Sequence, residues 1–296
     1  MLAIQVEGLT RLYRNGRGIR QVDLAAAQGS VYGFLGPNGA GKTTLIRTLL
    51  GFLKPQAGQA TVLGVDAIHR SREVRQQVGY LPSDPALYDF LSGRDNLEFA
   101  LRMRGTSDRT RLKALADRLD VDLGRRVKAL SRGNKQKVAI IAALAHDPDL
   151  VILDEPTSGL DPLMQEAFLD LIREERERGK TIFMSSHIMS EVEAVCDRVG
   201  VIKDGQMVAQ DSVMNLKKQR VKYIRAEFAG VVPDLRSLPG VTDWQAAGSQ
   251  VRFTLAGSLA PMLTEMAKGQ VVDLTVADPP LEEVFRQFYE GAGGGR

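Results

Sequence analysis

Apolar residues fall near every second position over residues 2–9, and a compact apolar run over residues 30–35 is broken sharply by GPNGAGKTT. Both stretches read as strands. Beyond that glycine-rich turn, residues 44–50 read as a helix stopped at Gly51, giving strand, loop and helix in succession. Between about residues 92 and 119 the period becomes helical: Leu112, Leu115, Ala116 and Leu119 share one face, and Ser92 with Asp95 resembles a capping box. Another helix opens behind Ser131 and runs to about residue 145. A buried strand follows at 150–153, then a helix over about 162–178 with Asp161 before it and Gly179 after it, then a strand at 181–185. Asp204 and Gly205, between apolar stretches at 199–203 and 206–210, predict a tight hairpin.

A polar, basic stretch at 217–220 marks a change of character. Strands are expected at 223–228, 251–255 and 271–276, and helices at 259–268 and, behind Pro279 and Pro280, at 281–289. The pattern therefore predicts a first domain over residues 1–216 and a small α+β domain over 217–296, whose glycine-rich end at 291–295 should be disordered. No internal repeat is evident.

Composition narrows the class. With 296 residues, 44% hydrophobic and 25% charged, the chain has the make-up of an ordinary soluble protein and room for about two domains. Its longest apolar run, residues 138–145, is far below the roughly 18 residues that a spanning helix needs. The start, MLAIQVEG, has neither the basic nor the apolar region of an export signal, so a cytoplasmic location is expected. The single cysteine, Cys196, has apolar neighbours and reads as a core residue. A net charge of +3, spread along the chain, points weakly to nucleic acid and fits equally well a protein docked on an anionic membrane face.

Candidate chemistry starts at residues 36–43, which match G-x-x-x-x-G-K-[ST]. In this pattern the loop of Gly36, Pro37, Asn38, Gly39, Ala40, Gly41 and Thr44 can close around phosphates with its backbone N–H groups, which Pro37 alone lacks. Lys42 reaches the β and γ phosphates, and Thr43 can hold Mg2+. The following helix presents its positive N-terminal end. A second feature, LVILDE at 150–155, is a buried strand ending in Asp154 and Glu155, where one acid can hold Mg2+ and the other can polarise water. Alone it would read as a solvated acidic turn; beside the phosphate loop the chemical reading prevails. The third is LSRGN at 130–134, which places the Ser131 hydroxyl at a helix N-terminus that can face an anion.

With these motifs in this order, the chain resembles the ATP-binding subunit of an ABC transporter over about residues 2–210. LSRGN is similar to the LSGGQ signature, LVILDEP to the Walker B strand, and Ser158-Gly159-Leu160-Asp161 to the D-loop; His187 stands as the switch histidine. The resemblance implies a P-loop NTPase core of α/β class with an antiparallel β subdomain and a helical insertion at about 84–149. It also implies that Asp154 coordinates Mg2+ through water, Glu155 is the general base, His187 contacts the γ-phosphate, and Tyr13 stacks on adenine. Ser131, Gly133 and Asp161 would act on ATP bound to an opposite subunit. Because only one phosphate loop occurs, the second cassette would be another copy of this chain.

Two motifs depart from the family pattern. Arg132 and Asn134 replace the third and last residues of LSGGQ, although Ser131 and Gly133 are kept. Ser83 stands where the family usually has the glutamine that reaches Mg2+ and the attacking water; Gln76 and Gln77 lie before the strand and are poor substitutes. The C-terminal stretch DPPLEEVF is similar to the accessory domain of drug-type and ABC-2-type export ATPases, and Val284, Phe285 and Phe288 read as one apolar helix face. The resemblance thus implies a peripheral ATPase on the cytoplasmic face of the cell membrane, powering export through a separate permease, with no nucleic-acid partner expected. A rival is a soluble ABC ATPase acting on nucleic acid or the ribosome. Such proteins usually carry two cassettes or a long coiled coil, and neither is seen in this sequence. A third reading, a regulatory nucleotide-binding module that hydrolyses poorly, is kept open by Ser83.

Overall fold

In the computed structural model, which describes residues 1–106, 108–217 and 221–277, the chain divides into two compact units, Met1–Asp211 and one beginning at Ser212. Along the first unit run β1 (Leu2–Leu12), β2 (Gly18–Ala27), β3 (Val31–Leu35), α1 (Lys42–Leu49), β4 (Ala57–Val62), β5 (Val65–Asp66), α2 (Ser71–Gln77) and β6 (Val78–Leu81). There follow α3 (Gly93–Met103), α4 (Thr110–Arg118), α5 (Arg132–Leu144), β7 (Leu150–Asp154), α6 (Pro162–Glu177), β8 (Thr181–Ser186), α7 (Met189–Val195), β9 (Arg198–Lys203) and β10 (Gln206–Ser212).

Two sheets result. A six-stranded sheet has the order β10-β9-β3-β8-β7-β6, with parallel pairing from β9 through β6. A four-stranded sheet, β2-β1-β4-β5, is antiparallel throughout. Every residue of β3, β7 and β8 is buried. Parallel strands covered on both faces read as unbroken apolar runs, which is why these three were legible as sequence. Between the two sheets lies a core that includes Ile4, Leu9, Tyr32, Phe34, Leu45, Ile46 and Phe183. Tyr32 stacks on Phe183 at 5.6 Å, and each such fully buried ring stabilises by about 1.5–3 kcal/mol.

β2 was missed because its alternation slips: Gln21 has φ +46, and the register with β1 shifts between Leu9 and Arg11. An extra residue in one strand sends the next side chains to the wrong face for a period of two. The helical stretch expected over 92–119 is two helices, α3 and α4. Gly105, in the left-handed region at φ +71, ends the first. The capping box at the start of α3 is present, with Ser92 Oγ accepting from the Asp95 N–H at 3.0 Å. Asp204 and Gly205 both have positive φ, the geometry of a two-residue hairpin turn.

The second unit carries α8 (Val213–Lys217), β11 (Val221–Phe228), β12 (Val241–Ala247), β13 (Gln250–Ala256), α9 (Leu259–Met266) and β14 (Val271–Ala277). Its antiparallel sheet, β12-β13-β11-β14, buries Ile224, Phe228, Phe253, Met262 and Met266 in its own core. β12 lacked a readable pattern because Asp243 takes φ +55 and only Val241 and Trp244 turn inward. The helix expected at 281–289 and the glycine-rich end lie outside the described residues.

Candidate nucleotide-binding site

β3 feeds the glycine-rich loop straight into α1, and two glycines make the passage possible. A Cβ on Gly36 would lie 2.4 Å from the Ile202 carbonyl oxygen, and Gly41, the N-cap residue of α1, has φ +114. Both positions exclude side chains. No side chain caps α1, so its first N–H groups remain available to an anion. Lys42 is buried and folds back over the loop, donating from Nζ to the carbonyls of Gly36 (2.5 Å) and Pro37 (3.1 Å).

The carboxylates arrive on β7. Asp154 ends the strand and is wholly buried; Glu155 follows in a left-handed conformation, φ +52. In the parallel register Asp154 lies beside Ser185 of β8. Ser185 Oγ donates to Asp154 Oδ1 at 2.7 Å and accepts from the Glu155 N–H at 3.1 Å, so one hydroxyl fixes both acids. Asp154 Oδ2 is buried with no hydrogen-bond partner. Glu155 bridges two other groups: Oε1 lies 3.0 Å from Lys42 Nζ, and Oε2 lies 2.6 Å from His187 Nδ1. His187 leaves the end of β8 and is half-exposed. Burial, with the Asp154 carboxylate next, pushes the neighbouring Tyr80 phenol up to about 12 and keeps it neutral.

An open cavity of about 470 Å3 lies over the loop. Tyr13, Asn38, Gly39, Gly41, Lys42, Thr43, Thr44, Ser83 and Glu155 line it, together with Asn15, Arg17 and Gly18. Pro37 and Ala40 instead line an adjoining hollow beside Asp204. Tyr13, at the end of β1, keeps its ring in place through the Arg11 guanidinium, 5.4 Å from the ring centroid. Gln76 and Gln77 close α2, before β6, whereas Ser83 follows β6. Besides Pro37 and Ala40, the predicted site residues Gly36, Asp154, His187, Ser131, Gly133 and Asp161 are not among those lining this cavity. Ser131 caps α5, accepting from the Asn134 N–H at 3.3 Å; Gly133 packs against the Gly159 carbonyl; Asp161 caps α6, accepting from the Met164 N–H at 3.0 Å.

Sequence reasoning passed over Asn15, Arg17 and Ser185. The Ser185-Ser186 pair directly before His187 was the available signal, since polar residues ending a buried strand need partners. For the arginine there was none, because Arg17 lies in a turn whose approach to the loop depends on the pairing of β1 and β2.

Residues 19–158 match the ABC transporter family. The bacitracin transport ATP-binding protein BcrA of Bacillus licheniformis is 36% identical over 229 residues, covering 76% of this chain and 75% of that protein. The chain belongs to the ABC transporter ATP-binding proteins. Similarity to the daunorubicin resistance ATP-binding protein DrrA3 of Streptomyces coeruleorubidus, 33% identical over 299 residues, spans 96% of this chain and 94% of that one, so it includes the second unit. Among solved structures, an ATP-binding subunit of an ABC transporter matches with a TM-score of 0.68 and 30% identity, over 73% of this chain and 92% of that one. The expected α/β P-loop core with its antiparallel subdomain is therefore the fold, and the chain is an ATPase of this family. No helix among the described residues is long and apolar enough to cross a membrane.

Proposed function

We propose that this chain binds and hydrolyses ATP to drive export through a separate integral membrane permease, working as a pair of copies that close over two nucleotides. The observation that carries it is the meeting of Lys42, Glu155 and His187 over one phosphate-sized loop. The adenine would stack on Tyr13, and the phosphates would lie on Gly36 to Thr44 with Lys42 against the β and γ groups. Glu155 would take the proton of the attacking water, with His187 holding the carboxylate in place and facing the γ-phosphate. The unpartnered Asp154 Oδ2, buried at a cost unless satisfied, fits a position filled when a cation arrives. Thr43, Asp154 and Ser83 are the residues that would hold Mg2+, which neutralises phosphate charge when bound.

Pairing of copies is supported by the division of the site: Ser131, Gly133 and Asp161 do not line the cavity of their own chain. The permease is supported by the names of the relatives, a bacitracin transport protein and a daunorubicin resistance protein. A cluster of exposed side chains points the same way. Tyr88, Phe90, Phe99 and Met103 are 44–74% exposed, and Tyr88 meets Phe99 edge-on at 5.4 Å. Apolar surface of this kind, on a chain with no spanning helix among the described residues, suits a protein partner. On this reading the chain is peripheral, on the cytoplasmic face of the cell membrane.

The test is phosphate release by the purified chain in Mg-ATP; no turnover above background would contradict it. The same assay addresses Ser83. This residue lines the cavity, and its hydroxyl would reach a bound metal through a water, since water-mediated contacts are nearly as favourable as direct ones. Ser83→Ala should lower turnover, and Ser83→Gln should keep or raise it with ATP affinity nearly unchanged. A Ser83→Ala enzyme equal to the parent would remove the hydroxyl from the chemistry.

A further inference from the structure

We infer that Arg132 is a positioning residue for Glu155, bracing the loop behind that carboxylate against the first turn of α5. The inference rests on the proposed role of Glu155 as the base. Residues 156–160 leave β7 directly behind Glu155, whose left-handed backbone is held only by its surroundings. That loop is fastened to α5 at two points. Buried Gln136 donates from Nε2 to the Pro156 carbonyl at 2.7 Å, and Arg132 donates from Nη2 to the Ser158 hydroxyl at 3.0 Å.

Between these hydrogen bonds the backbones touch. A Cβ on Gly133 would lie 3.1 Å from the Gly159 carbonyl oxygen, and one on Gly159 would lie 3.1 Å from Arg132 Nε. Gly159, at φ +83, leaves the space that the Arg132 side chain fills. The residue that Arg132 grips is itself tied to the backbone of Glu155: the Ser158 N–H donates to the Glu155 main-chain carbonyl at 3.2 Å. Arginine therefore supplies, at the position of the first glycine in LSGGQ, a link from the helix through Ser158 to the backbone of Glu155. A general base must keep hydrogen-bond reach of its water, so loosening this link should act on turnover rather than on nucleotide binding.

Steady-state hydrolysis and ATP affinity measured on Arg132→Ala, Arg132→Lys, Ser158→Ala and the Arg132→Ala/Ser158→Ala double variant test this. Arg132→Ala should lower kcat about 3- to 10-fold with Kd for ATP unchanged, and Arg132→Lys should recover part of the loss. Ser158→Ala, which keeps the arginine and removes its acceptor, should match Arg132→Ala. The double variant should be no slower than either single one, because both remove the same interaction. Parental turnover in Arg132→Ala, or losses that multiply in the double variant, would overturn the inference. Glu155→Gln assayed alongside separates the two claims. A slow Glu155→Gln beside a normal Arg132→Ala sinks the inference alone, whereas a Glu155→Gln at the parental rate removes the base assignment and the inference with it.

Discussion

Glu155→Gln is expected to slow ATP hydrolysis by about 10²- to 10⁴-fold, the usual range for loss of a general base, while ATP still binds. The side chain keeps its shape and can still meet His187, but an amide cannot accept the proton of an attacking water. Glu155 Oε1 also lies 3.0 Å from Lys42 Nζ, so the carboxylate competes with phosphate for the lysine. Removing its charge takes away a competitor for that cation, and ATP affinity should hold or rise. With chemistry blocked, the ATP-bound pair of copies should accumulate. Light scattering with and without Mg-ATP reads that accumulation, and phosphate release reads the rate. A variant that hydrolyses like the parent would remove Glu155 from its role.

Lys42→Ala should weaken ATP binding by about 10- to 10²-fold and abolish measurable turnover, since charge-assisted hydrogen bonds to phosphate contribute about 1.5–3 kcal/mol. Lys42 is 5% exposed and also donates to the carbonyls of Gly36 and Pro37, so the loop loses its internal clasp as well. The fold should survive, because Glu155 keeps His187 as a partner and the hydrophobic core beneath the loop is untouched. Nucleotide affinity and circular dichroism measured together decide the matter: parental affinity in a folded variant would sink the phosphate-loop assignment.

The parts of this protein that were legible as sequence are those in which one physical constraint dominates. β3, β7 and β8 are buried on both faces, and their continuous apolar runs announced them. Asp161 before Pro162, and Ser92 with Asp95, marked helix starts because caps are local chemistry. Gly36 and Gly41 were readable because only glycine fits their surroundings. What escaped depends on distant pairing. β2 is bulged at Gln21, so its register comes from β1. Ser185 joins Asp154 to Glu155 only because β8 lies beside β7. Arg132 meets Ser158 only because the loop after β7 packs against the start of α5.

In the proposed pair of copies, a working site takes its phosphate loop from one chain and its signature from the other. Mixing Lys42→Ala chains with Ser131→Arg chains tests this most directly. Each variant alone lacks one half of every site, whereas a heterodimer retains one site built from the intact Lys42 of one chain and the intact Ser131 of the other. Hydrolysis measured on tagged heterodimers should be restored relative to both separate variants. Confirmed heterodimers no more active than either variant alone would contradict the shared site.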